Sequence, residues 1–445
     1  MYKPIYKPTL ILLFFVASWS MAAEPGNLRA SIEDYYASHL EELFIWFHRN
    51  PELSFLEHQT AKRLASELRQ LGVEVTEGVG GTGIVGVINN GEGPRLLIRA
   101  DMDGLPVKED SGLSYASVAT QRNREGDEVP VMHACGHDVH ITSLVGTAKM
   151  LMERRADWQG TVVLIGQPAE ERIGGAKLML EDGLYDRFGV PDYALAFHVS
   201  ADGPAGKIAV RPGLITSSSD SVDIIVRGVG SHGASPHRGK DPIYMASQLV
   251  IALQGIVSRE LSPQEPAVIT VGSIHGGFKH NIIPDEVKLQ LTVRSDSRET
   301  RQNLLSGIRR TAEHIGRLNG LPDDLLPIVR VGFESTPVVI NDEVATFRVL
   351  SAWRDQLGSD RLYDRPREGM GAEDFAYFVE TQHDVPGVYF SVGGTPEAEL
   401  KAAQRGDIVR PAHHSPFFKV MPEPSVIAGV EATFLAAMEL LSPGR

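Results

Sequence analysis

The chain has 445 residues, 42% of them apolar, which is ample for two or three hydrophobic cores. Its formal charge of −14 argues against nucleic acid or an anionic membrane as partner. A single cysteine excludes an intramolecular disulfide, so stability must come from packing.

The first residues read as an export signal. Lys3 and Lys7 supply the positive region, Leu10 to Val16 the apolar core, and Ser20, Met21 and Ala22 a small-x-small cleavage site. The apolar run is short for a bilayer span, so cleavage near Ala22 or Ala23 and a soluble periplasmic or secreted product are expected. An uncleaved anchor is the alternative. Removing residues 1–22 takes away two lysines and no acid, moving the formal charge from −14 to −16. No later segment reads as long and apolar enough to cross a membrane, and no internal repeat is found.

From Ser31 to Leu71 the apolar positions recur at helical spacing, as in Leu40, Leu43, Phe44 and Phe47, then Leu64, Leu68 and Leu71. Strand and helix signals then alternate. Strands are expected at 84–88, 95–100, 162–165 and 194–197, with helices at 140–153 and 175–181. Alternation of this kind implies an α/β fold in which helices cover a sheet. Ligands bind at the carboxyl ends of the strands in such folds, and Asp101, Glu170 and His198 all follow apolar runs.

The middle of the chain changes character. Residues 222–226 and 288–294 alternate apolar with polar, which suits sheets solvated on one face. With helices at 242–260 and 298–319 and strands at 267–272 and 328–333, they form a βαββαβ-like α+β unit. The expected division is therefore a signal peptide at 1–22, a first domain from 24–213 and 336–445, and an inserted domain from 214–335.

The chemistry concentrates in the block from Met132 to His140. Cys135 stands two residues before His137 and five before His140, the donor set of a transition-metal site. A lone cysteine is more often a small buried apolar side chain. A second donor group, Gln167 to Glu171 followed by His198, favours the metal. Cys135, His137, Glu171 and His198 would fill one tetrahedral zinc, whereas a catalytic zinc keeps a position open. The His413–His414 pair offers a fifth donor, and five donors suit a pair of ions. Neighbouring residues at a strand end point in different directions, so one of Glu170 and Glu171 can hold metal while the other faces the substrate. That second carboxylate can move a proton from an attacking water to a leaving amine. Without the surrounding donors, the two would read as a solvated acidic pair at a helix start.

At these residues the sequence resembles the binuclear metallo-amidohydrolases that include aminoacylases, hippurate hydrolases and plant auxin-conjugate hydrolases. The resemblance spans essentially the whole mature chain. Six blocks carry it in order: His48–Leu53, Arg99–Asp103, His133–Asp138, Gln167–Glu171, Asn281–Pro284 and Met370–Phe375.

It implies a metallopeptidase-like catalytic domain with a central mixed sheet flanked by helices, and an inserted lid that also forms a homodimer. It further implies two divalent ions per subunit (zinc, manganese, cobalt or nickel), held by Cys135, His137, Glu171, His198 and His414. Glu170 is then general base and acid, and Asp103 orients a ligand from behind. Asp101 stands where the wider superfamily has its first metal-binding histidine and is left off the ligand set. His414 is preferred to His413 because it directly precedes Ser415–Pro416. His232 resembles the histidine that reaches an active site, often the partner subunit's, and polarises the scissile carbonyl. By itself it would read as an exposed turn residue. Asn281 is the companion contact to carbonyl or carboxylate.

Two departures stand out. Gly104 replaces a frequent alanine, and the polar stretch Ala119–Pro130 is long, which suggests a loop near the mouth of the site.

The expected function is hydrolysis of a small N-acyl amino acid to a carboxylic acid and an amino acid. A dipeptidase or exopeptidase with the same centre is the enzymatic alternative. A periplasmic metal-binding protein is the alternative from another class, disfavoured because Glu170, Asp103 and His232 are present together.

Overall fold

The structure is a computed structural model that describes residues 25–380 and 382–442. The expected signal peptide lies outside the described residues. Helices Pro25–Tyr35, Glu41–Arg49 and His58–Gln70 form where the apolar spacing is helical, the first two joined by a single π turn at Tyr36–Leu40.

Strand β1 (Glu74–Val79) pairs antiparallel with β2 (Gly83–Asn90), and β3 (Arg95–Asp101) follows. A short hairpin, β4 (Thr120–Arg122) and β5 (Glu128–Pro130), precedes helix His137–Glu153. Next come β6 (Gly160–Gln167), β7 (Tyr193–Pro204) and β8 (Ile208–Ala209). The chain then builds β9 (Gly213–Thr216), β10 (Ser218–Arg227), β11 (Ser231–His232), β12 (Ala267–Gly276) and β13 (Ile282–Ile283). It continues through β14 (Glu286–Ser295), β15 (Ile328–Thr336) and β16 (Val339–Asn341), and returns with β17 (Gly387–Thr395).

Seven strands form the large sheet in the order β1-β2-β6-β3-β7-β17-β8. β6, β3, β7 and β17 run parallel at its centre, with antiparallel strands at both margins. The central strands are buried along nearly their whole length, as their unbroken apolar runs require. Leu64, Ile98, Leu164 and Trp353 lie in the core on one face, and Val85, Ile165, Met179 and Phe375 in the core on the other.

Helix Pro422–Leu441 corrects the expectation that no later segment could span a membrane. By length and composition it qualifies, yet it lies mostly buried against helix His137–Glu153. Gly146 permits the approach, since a Cβ there would lie 2.5 Å from Val430 Cγ2.

A second, all-antiparallel sheet has the order β12-β14-β10-β15, with helices Pro242–Gly255 and Arg298–Leu318 packed on it. The βαββαβ order is the expected one. Alternating residues of β10 and β14, among them Val222, Ile224, Leu289 and Leu291, meet Leu249, Leu304 and Ile308 in a separate core. Both helices start on side-chain caps. Asp241 accepts from the Ile243 and Tyr244 N–H groups, and Ser297 from Thr300 N–H.

The polar stretch Ala119–Pro130 differs from expectation, being a hairpin and not an open loop. Asn123 and Gly126 close its turn through backbone hydrogen bonds, so the segment satisfies its own peptide groups. Gln121 fastens it to the Leu53 N–H at 2.6 Å and the Leu56 carbonyl at 3.1 Å. None of its residues lines the cavity described below.

Candidate metal centre

The carboxyl ends of the parallel strands meet at one edge of the large sheet. Asp101 ends β3 opposite Gln167 at the end of β6, and His198 in β7 pairs with Ser391 in β17. The helix expected from His140 begins at His137, following Gly136 at φ +85°, where a Cβ would meet Val199 Cγ1 at 2.4 Å. That left-handed residue turns the chain so that Cys135 and His137 face the strand ends.

Five donor triads result among the described residues, three of them built on Asp101, His137, His140, Glu170, Glu171, Glu373 and Asp374, and the two of interest share the thiol. Cys135, His137 and His198 place ligand atoms within 4.8 Å of one another, and so do Cys135, Glu171 and His414. His137 Nε2 also lies 4.0 Å from both Glu170 Oε2 and Glu171 Oε1. His137 Nε2 and Glu171 Oε1 are buried without a hydrogen-bond partner among the described residues. Unpaired buried polar atoms are costly, and here they converge with a thiol and two further imidazoles. The donor set therefore fits two divalent cations.

The supporting contacts fix each imidazole. His137 Nδ1 donates to the Asp103 carbonyl at 2.8 Å, which leaves Nε2 as the donor to a metal. His198 Nδ1 donates to the Val199 carbonyl at 2.6 Å, turning Nε2 to Cys135 Sγ at 3.4 Å. Burial pushes the His198 pKa well below the ordinary histidine value, so this ring is neutral and ready to ligate. His140 is different. Its Nε2 accepts from Val199 N–H and its Nδ1 bonds Asp101, which leaves no nitrogen for an ion.

His413 and His414 also separate. His413 Nε2 accepts from the Ala201 N–H at 3.1 Å, so its Nδ1, 3.8 Å from Cys135 Sγ, carries a proton. His414 adopts φ +65° and places Nε2 3.3 Å from Glu171 Oε2.

Glu170 and Glu171 sit on a 3₁₀ turn flanked by Ala169 at φ +50° and Ile173 at φ +47°, a conformation that needs external support. Asp103 supplies it by accepting the Glu170 and Glu171 N–H groups, each at 3.1 Å, and Glu57 accepts the Ala169 N–H at 2.8 Å. Ser54 Oγ donates to the same Asp103 carboxylate at 2.6 Å.

The charges are set by burial and neighbours. Burial raises the Glu170 carboxyl well above its ordinary value, and Glu373, Glu171 and Asp374 add to it against Arg99. Burial raises the Cys135 thiol in the same way, reinforced by Glu171 and Glu170. Burial opposes charge on His137, but Asp101, Asp103 and Glu171 outweigh it and raise its pKa to about 10, so Nε2 must give up a proton to hold a cation.

Behind the donors lies a buried network whose roles sequence reasoning did not assign. Arg99 donates to Asp101 at 2.6 Å, Glu373 at 2.6 Å and Gln167 at 2.7 Å, while Tyr389 donates to Glu373 at 2.6 Å. The blocks Arg99–Asp103 and Met370–Phe375 were the available signal, but only the fold shows that they meet. His232 and Asn281 are brought together elsewhere: β11 pairs with β13, and Gly233 N–H donates to the Asn281 carbonyl at 2.8 Å. Both side chains are exposed, and neither lines the cavity on the donor cluster. That cavity, about 600 Å³, is lined by Cys135, Glu170, Glu171, His198 and His414 together with residues of β9, β14 and the 364–373 segment.

Comparison with known proteins agrees with this geometry. Residues 97–406 match peptidase family M20/M25/M40. The chain is 39% identical to a hippurate hydrolase of Campylobacter jejuni over 75% of its own length and 83% of that protein. It is 38% identical to thermostable carboxypeptidase 2 of Saccharolobus solfataricus, over 78% of this chain and 83% of that one. Among solved structures it is similar to the YxeP protein of Bacillus subtilis, described as a dinuclear metal-binding peptidase of the M20 family. That match has a TM-score of 0.71 at 29% identity and covers 93% of this chain and 99% of that one.

Proposed function

We propose that this chain, which belongs to peptidase family M20/M25/M40, is a metal-dependent amidohydrolase that cleaves N-acyl amino acids to a carboxylic acid and an amino acid. The observation that carries the reading is the pair of donor triads sharing Cys135, with the raised carboxyl of Glu170 beside them. The five ligands in this reading are Cys135, His137, Glu171, His198 and His414.

When bound, two divalent ions polarise the scissile carbonyl and acidify the attacking water. Glu170 takes the proton from that water as its oxygen joins the carbonyl carbon, then delivers it to the nitrogen as the C–N bond breaks. Burial lifts the proton affinity of this carboxyl, which favours its taking the proton in the first step. Asp103 holds the turn that aims Glu170.

Residues 24–213 and 336–445 serve as the catalytic unit and 214–335 as lid and dimerisation unit. His232 and Asn281, together on the exposed β11–β13 ribbon, reach the partner's cavity in a homodimer and contact the carbonyl or carboxylate there. The lysines and apolar run before Ala22 direct export to the periplasm or beyond.

The test is to strip the purified protein of metal, reload it separately with zinc, manganese, cobalt or nickel, and assay hippurate, acetylated amino acids and dipeptides. Metal-dependent release of the amino acid from the acyl substrates is expected. The carboxypeptidase relative makes exclusive dipeptide cleavage the informative alternative, and turnover unaffected by metal removal would contradict the reading.

A further inference from the structure

The cavity wall carries four arginines, and two of them are committed within the protein. Arg211 donates to the Leu214 carbonyl, and Arg367 forms a bidentate ion pair with Asp296, both bonds at 2.6 Å. The other two have no carboxylate partner among the described residues. Arg365 donates one N–H to Ser391 Oγ, and Arg294 reaches only the Met370 carbonyl, at 3.5 Å.

Their placement is specific. Ser391 pairs in register with His198, so Arg365 stands beside the donor cluster. Arg294 belongs to β14 of the second sheet and lines the same cavity. Both are partly buried, and burial lowers the Arg294 pKa against a weaker opposing pull from Asp220. Asp364, Glu368, Glu170, Glu171 and Glu373 also line the cavity, but none of them forms an ion pair with these two arginines. A guanidinium that faces a cavity without an ion-pair partner is free to receive a ligand's carboxylate. An N-acyl amino acid with one carboxylate can satisfy only one of them.

We infer that the substrate carries two carboxylates, one received by Arg294 and the other by Arg365. This rests on the amidohydrolase reading and narrows it. The second carboxylate can come from an acidic amino acid or from a dicarboxylic acyl group.

The metal-loaded protein should be assayed on N-acetylglutamate and N-succinylglycine, one for each source, against N-acetylalanine and hippurate. The kcat/KM for one dicarboxylate should exceed that for the monocarboxylates by roughly 10- to 100-fold, the worth of a charge-assisted hydrogen-bond pair. Whichever dicarboxylate wins identifies the source. Arg365→Gln and Arg294→Gln should each collapse this ratio, mainly through KM. Calorimetric binding of the same compounds to Glu170→Gln protein reads the cavity independently of turnover. Hydrolysis of monocarboxylates at equal or better kcat/KM overturns the inference and leaves the amidohydrolase reading standing. No hydrolysis of any compound overturns that reading instead, and equal binding of mono- and dicarboxylates then overturns the inference as well.

Discussion

Asp103 accepts a hydrogen bond from the Glu170 backbone N–H at 3.1 Å, and its second oxygen takes the Glu171 N–H at the same distance. Its main-chain carbonyl holds His137 Nδ1. One residue thus fixes the proposed proton shuttle and two of the proposed ligands. In Asp103→Asn the side-chain amide has only one oxygen, so one N–H loses its acceptor. Metal affinity or turnover should fall on the order of 10- to 100-fold, as for other residues that position metal ligands. Metal titration and steady-state kinetics check this, and an Asn variant equal to wild type in both would contradict it.

The raised Cys135 thiol makes metal binding a proton-releasing event, because a thiol must ionise to ligate. Affinity should therefore rise with pH, and calorimetry in buffers of different ionisation enthalpy should report the protons released by Cys135 and His137. Cys135→Ser should lower metal occupancy, and a thiol reagent should label the metal-free protein much faster than the loaded one. Equal labelling with unchanged metal content would make Cys135 an ordinary core residue.

His48 is buried between Asp138 at 2.7 Å and Glu109 at 3.1 Å. Burial opposes its charge, but the two carboxylates outweigh it and raise its pKa from 6.5 to about 9. A raised folded-state pKa stabilises fully below the unfolded value and is lost as pH climbs through the folded one. Stability should therefore decline between pH 6.5 and about 9, by on the order of 3 kcal/mol from this group. Denaturant melts across that window at fixed metal content should show the decline in wild type and a shallower one in His48→Gln. Identical slopes would remove His48 as the cause.

His232 tests the dimer. If it serves the partner's cavity, His232→Ala should keep its metal and lose turnover by roughly 10²-fold, the worth of an oxyanion donor. Mixing it with Glu170→Gln under subunit exchange should restore activity, since one site then has both groups intact. Confirmed heterodimers without recovery would place His232 within its own subunit or outside the reaction.

Much of this was readable from residue spacing. The helix spacing through Leu40–Phe47, the alternating pattern of β14 and the Cys135–His137 block all reappear in the structure where the sequence puts them. What was hidden depends on side-chain direction and on contacts far apart in the chain. Arg99 and Glu373 are 274 residues apart, and nothing local in either segment announces their ion pair. Asp101 was set aside as a ligand for its position in a pattern, and the fold gives it a different task, bonding Arg99 and His140. Choosing between His413 and His414 turns on a left-handed residue at 414, which a non-glycine side chain does not advertise. Helix Pro422–Leu441 passes the length and composition test for a membrane span, and only the fold shows that it is a core helix.

The most direct test of the central claim compares Glu170→Gln with Glu171→Gln, measuring bound metal and turnover on the same preparations. Glu170 is proposed to move the proton without holding the ions. Its variant should therefore keep two ions per subunit and lose on the order of 10²–10⁴ in kcat on N-acyl amino acids. Glu171→Gln should lose metal first and activity as a consequence, recoverable in part at high metal concentration. A fully loaded Glu170→Gln protein that turns over like wild type would contradict the account.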